Sequence, residues 1–136
     1  MVAGKIMGDS LYSLKSLKEK LRGSLIFGSA QKSDYQVFLA TKRVLEAEAL
    51  LGKGKDNLAI KTLDKAGFFL DAASGNLEKA KKESEGSVTG LDLTKTRLEN
   101  IKKLVSWLST EAKENIKSKL EEVNTKVDAL QKSLSS

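Results

Sequence analysis

The sequence predicts an all-α fold, an antiparallel bundle of four to five helices, and three observations carry that expectation. Proline is absent from all 136 residues, although average usage of about 5% would place several in a chain of this length. Uninterrupted helices must exclude it, because its ring removes a backbone donor and clashes with the preceding turn. Leucine, alanine and valine recur at three- and four-residue steps through most of the chain, the spacing of one helix face. Aromatic residues contribute only 5%, which leaves the core to these aliphatic side chains. The length is that of one ordinary domain, enough to bury roughly two-thirds of the unfolded surface. A single bundle domain is expected over residues 9–134, with residues 1–8 a tail or linker from a longer precursor.

The first helix is expected to begin at Asp9 or Ser10, either of which can accept a hydrogen bond from a free first-turn N–H. Leu11, Leu14, Leu17, Leu21 and Leu25 form its apolar stripe, with lysines on the other faces, and Gly28 is a natural stop. Ser33 with Gln36 reads as a capping box at the start of the second helix. That helix carries Tyr35, Phe38, Leu39, Val44, Leu45, Ala49 and Leu50 and ends in "GKGK" at Gly52–Lys55, so a helical hairpin should follow. Asp56 can cap the third helix, whose apolar positions from Leu58 to Ala80 keep phase across Gly75. An interior glycine costs up to about 1 kcal/mol against alanine, so Gly75 marks a weak point or a close packing site. "SEGSVTG", residues 84–90, is polar, glycine-containing and without periodicity, a loop.

From Leu91 to Leu134 the apolar phase is continuous enough for one helix of roughly 60 Å at 1.5 Å per residue. Ser109 and Thr110 followed by Glu111 and Glu114 compete with that, because hydroxyls before first-turn acids mark a helix start. A break at Ser109 is therefore expected, giving five helices.

Composition also bounds the chemistry. The chain contains neither cysteine nor histidine, so no disulfide or thiolate exists, and the usual general base and transition-metal ligand is missing. No catalytic, cofactor-binding or metal-ligating residues are assigned, and a non-enzymatic role is expected. No run of about 18 apolar residues is present to span a membrane. The net charge is +6, and half of it falls in Ser10–Phe27, where Lys15, Lys18, Lys20 and Arg22 face Glu19 alone. Arginine occurs only as Arg22, Arg43 and Arg97, which disfavours nucleic acid, since the arginine fork is the usual reader of phosphates and base edges.

"GDSLYSLKSLKEKL", Gly8–Leu21, resembles the opening of a helical domain of exported or membrane-tethered bacterial proteins that begins with Gly-Asp, Leu-Tyr, Pro, Leu-Lys. "ATKRVLEAEALLGKG", Ala40–Gly54, is similar to that family's second helix and glycine turn. "LVSWLSTEAKENIKSKLEEV", Leu104–Val123, resembles its late segment, where a short break precedes Glu-Ala-Lys. Ser13 and Ser109 stand where the family usually has proline, and Met7 rather than proline precedes Gly8. The resemblance implies an extracytoplasmic helical module placed after a signal or anchor, with no biochemical activity attached. It implies a partner that is another protein or a cell-envelope component. Without it, a cytoplasmic location is the default.

Two side chains stand out as partner contacts. Tyr12 is either a recognition residue or a ring packed at the bundle end with its hydroxyl at the surface. Trp107, at the end of the fourth predicted helix, is either an interface anchor or core packing at a bundle end. Lys15, Lys18, Lys20 and Arg22 define an alternative, a cytoplasmic module that binds nucleic acid or another polyanion, though no aromatic residues interleave with them to stack bases. Glu46 with Glu48, and Glu121 with Glu122, point in different directions on a helix and do not make an acid and base pair.

Overall fold

The computed structural model describes residues 28–83 and 91–135. Over them the chain forms four helices, α1 (Ser29–Gly52), α2 (Asp56–Glu83), α3 (Asp92–Ser109) and α4 (Glu114–Ser135). The helix expected before Gly28 and the loop at residues 84–90 lie outside the described residues. The expected break is recovered, since the Leu91–Leu134 stretch is two helices, and α2 runs unbroken through Gly75.

Buried side chains step by alternating threes and fours along every described helix. In α1 one such row is Ser33, Val37, Ala40, Val44 and Ala47, beside a second buried row of Tyr35, Leu39, Arg43, Glu46 and Leu50. In α2 they run from Ala59 through Leu63, Ala66, Leu70, Ala73 and Leu77 to Ala80. Thr94, Leu98, Ile101 and Val105 keep the same steps in α3, and Ile116, Leu120, Val123, Val127 and Leu130 in α4. This is a seven-residue repeat, the spacing that keeps one stripe of side chains facing the neighbouring helices. Most of these residues form one continuous core.

α1 packs on α2 and on α3, and α4 packs on α2 and on α3. Within each hairpin the partners are antiparallel, as expected. The two hairpins, however, lie side by side with like directions. Asp56, Asp64 and Asp71 of the second helix meet Lys113, Lys119 and Lys126 of the fourth segment in order, at 3.0, 2.9 and 2.6 Å, and Lys81 donates to the Ser133 carbonyl oxygen at 2.5 Å. Two of these bridges repeat at the seven-residue period of the core itself.

Four local expectations change. Ser33 is not a cap: α1 starts at Ser29, and the buried Ser33 hydroxyl donates across the hairpin to the Ala73 carbonyl at 2.8 Å. Asp56 lies within the first turn of α2, where the Lys55 carbonyl accepts the Ala59 N–H, and its carboxylate turns to Lys113 instead of capping. Ser109 and Thr110 end α3 and do not start α4, because their hydroxyls bond back to the carbonyls of Val105 and Trp107 at 2.8 Å each. Glu111 accordingly stays in the connection. Gly75 is exposed and no atom lies within 4 Å of where a Cβ would stand, so it is not a close packing site.

The α1 to α2 turn is fixed by backbone geometry. The Lys55 N–H bonds to the Leu50 carbonyl at 2.9 Å and the Gly54 N–H to that of Leu51 at 3.1 Å, the paired closure of a Schellman motif. Gly54 takes φ +73, a left-handed conformation that glycine adopts without strain. Gly54→Ala is therefore expected to lower stability by about 1 kcal/mol, whereas Gly75→Ala, at an open helical position, should raise it by up to about 1 kcal/mol. Urea unfolding of the two variants checks both signs.

The Lys119 ammonium is held above the ordinary lysine range chiefly by its hydrogen bond to Asp64 and that carboxylate's charge. A raised folded-state value means that its contribution is complete below the unfolded lysine pKa of about 10.4 and fades as pH rises through the folded value. Asp64→Asn should flatten this alkaline loss, which parallel unfolding curves between neutral pH and the alkaline limit would reveal.

Candidate functional site

The packing of the described helices leaves few of their large apolar side chains outside the core. Among the described residues Leu45, Phe68, Leu93 and Trp107 are the exposed ones, at 48, 68, 55 and 61%. Trp107 falls outside the buried repeat of α3, between the half-buried Leu104 and Leu108. The last turn of α3 fixes its backbone, since its carbonyl accepts both the N–H and the hydroxyl of Thr110.

Because α1 and α3 run in the same direction, the two hairpin turns reach the same end of the bundle. Between them opens a pocket of about 590 Å³, within the size range of small-ligand sites. Its apolar lining comes from Leu51, Leu108, Ala112 and Ile116, and Trp107 stands on its wall. Among the described residues three carboxylates also line it, Glu48 from α1, Asp56 from α2 and Glu111 from the α3 to α4 connection, with Lys113 as the one cation. Lys113 is committed to Asp56 at 3.0 Å. No ion pair to Glu48 or Glu111 exists among the described residues, so the rim carries excess negative charge on a chain whose net charge is +6.

A second, smaller depression of about 220 Å³ lies between α2 and α4 beside Phe68. Its charges satisfy one another, Lys119 with Asp64 and Glu122, and Lys126 with Asp71. That arrangement seals an interface and leaves nothing over for a ligand.

Of the residues singled out by sequence, Trp107 is placed in the pocket, exposed, which decides against core packing. Tyr12, Lys15, Lys18, Lys20 and Arg22 lie outside the described residues. Sequence reasoning passed over Glu48, Asp56 and Glu111 as a group, dismissing Glu48 as half of an acid and base pair and reading Asp56 as a cap and Glu111 as a first-turn acid. The usable signal was their nearness to the two helix junctions, which a bundle with parallel neighbours gathers at one end. Glu46 also departs from a solvated surface: it is buried with Arg43, at 9 and 1% exposure, and the two are paired at 3.0 Å.

Other aromatic rings in the chain already attract cations. Arg97 and Lys42 sit 5.1 and 5.6 Å from the centre of the Phe38 ring, and Arg97 is anchored by Asp34, which also accepts the Thr94 hydroxyl at 2.7 Å. Trp107 has no such cation among the described residues. No group of three or more acidic residues suited to a metal ion occurs among them either, and no described helix is long and apolar enough to cross a membrane.

The family described as a domain of unknown function (DUF5667) matches residues 5–103, nearly three-quarters of the chain. The match takes in α1, α2 and most of α3 and stops before Trp107. No curated protein and no solved structure matches the chain.

If Trp107 is held open at the turn end, Trp107→Ala should change stability by no more than about 0.5 kcal/mol. As the sole tryptophan, its emission in the native protein should be that of a hydrated indole, quenched by acrylamide nearly as well as in urea.

Proposed function

The chain belongs to the DUF5667 family, and on that premise we propose that it is a non-enzymatic helical interaction or scaffolding module that works outside the cytoplasm and engages a protein partner at the turn end of the bundle. The observation that carries this reading is Trp107, 61% exposed on the wall of a pocket with an apolar floor. A large ring left in water loses the gain of burying its apolar surface, and tryptophan is among the residues enriched at the energetic centres of interfaces.

The non-enzymatic half is supported by the side-chain inventory. With no histidine or cysteine in the sequence, the pocket offers only carboxylates, the Thr110 hydroxyl and a lysine already tied to Asp56. None of these forms a nucleophile and base pair. The extracytoplasmic half is supported by the resemblance of "GDSLYSLKSLKEKL" to the opening of exported domains.

A photo-reactive benzophenone side chain placed at position 107 of the full-length protein is expected to cross-link a discrete partner in its own cells. The same group at Lys79, exposed on α2 away from the turn end, should not. Equal adducts from both positions would overturn the docking site. Protease added to intact cells is expected to digest the protein, and complete protection together with recovery in the cytosolic fraction would remove the extracytoplasmic half.

A further inference from the structure

We propose that the turn-end pocket takes the side chain of a lysine or arginine from a partner protein, with the cation over the Trp107 ring and between Glu48 and Glu111. This rests on the docking reading above and adds the chemistry of what docks. Three features of the pocket select such a group together. The first is charge: among the described residues three carboxylates line the site against one ammonium, and that ammonium is taken by Asp56 at 3.0 Å. An anionic ligand would meet repulsion, and a neutral apolar one would leave both rim carboxylates partly desolvated without a partner, which is unfavourable.

The second feature is the ring. A cation over an aromatic face is attracted by the ring's quadrupole, most strongly with tryptophan. The chain uses this contact at Phe38, where Arg97 and Lys42 approach to 5.1 and 5.6 Å. The Trp107 face carries no cation among the described residues.

The third is the floor. Leu51, Leu108 and Ala112 are half-buried against the core, and they match the methylene stem of a long basic side chain, which buries its carbons while its head stays near water. The net charge of +6 does not cancel this preference, because at physiological salt charges more than about 8 Å away are largely screened.

The test titrates the full chain with an acetylated hexa-arginine amide, reading the fluorescence of Trp107 and the indole N–H resonance. Saturable binding is expected, weakening with salt, with hexa-glutamate and a glycine-serine peptide of equal length inert. Glu48→Gln with Glu111→Gln should weaken binding about fivefold to tenfold. Lys113→Gln, which releases Asp56, should strengthen it about twofold. The proposal is overturned if hexa-arginine leaves Trp107 unperturbed, if the neutral or acidic peptide binds as well, or if the glutamine variants bind unchanged. It is also overturned if Trp107 becomes shielded on raising protein concentration without peptide, which would make a second copy the occupant. A cross-link from position 107 that persists while hexa-arginine fails removes the cationic chemistry and leaves the docking reading standing. Hexa-arginine binding without any cross-link does the reverse.

Discussion

The seven-residue repeat shared by all four described helices is the constraint on which the rest of the structure depends. A stripe that repeats every seven residues stays nearly in line along a helix of 3.6 residues per turn, and α2 holds such a stripe over about six turns, from Ala59 to Ala80. Alternating small and large residues along it, Ala59, Leu63, Ala66, Leu70, Ala73, Leu77 and Ala80, allow close approach at the alanines and interlocking at the leucines. Once α1 and α4 carry the same period, the helices have one register in which all stripes are covered. The bridges Asp64–Lys119 and Asp71–Lys126 sit beside the seam at that period. They are exposed enough to contribute little each, so they report the register more than they create it.

The two hairpins pair with like directions, α1 beside α3 and α2 beside α4, so that both turns lie side by side at one end of the bundle. Here the α1 to α2 turn closes in a few residues through Gly54, while the α3 to α4 connection is longer and begins with Thr110 bonding back to Trp107. The two closures do not match in shape, and the pocket is the space between them. Its carboxylates arrive from three different segments, each placed by a helix start or end and not by a local motif.

This explains which features were legible beforehand. Periodicity exposed the helices, the absence of proline secured their continuity, and the hydroxyl-rich "LSTE" located the break, since a residue type that competes for backbone hydrogen bonds ends a helix as readily as it starts one. For the same reason the direction of that signal was misread at Ser109 and Thr110, and at Ser33, whose hydroxyl serves Ala73 forty residues away. The apolar list for α1 included Leu45 and Ala49, which are exposed, and omitted Val37, Ala40 and Ala47, which are fully buried. Helical period alone leaves the choice of face open until a partner helix is known, and Leu45 lies about a third of a turn from the buried stripe of α1. Trp107 was ambiguous for that reason too.

The fold and the candidate site draw on different residues, and this separates what the family assignment carries from what it does not. The match over residues 5–103 spans the α1 to α2 hairpin and the part of α3 that completes the core through Ile101. It supplies Glu48, Leu51 and Asp56 to the pocket, whereas Trp107, Glu111 and Lys113 come from beyond it. One wall is thus built by the segment that defines the family and the other by a segment that the family description leaves aside. The core positions tolerate little change, because a lost methylene leaves a cavity. Trp107, Glu48 and Glu111 lie on the rim, where substitution is nearly neutral for stability. Chains that keep the seven-residue repeat are therefore free to exchange this ring and these carboxylates, so that the recognition chemistry can vary while the bundle stays the same.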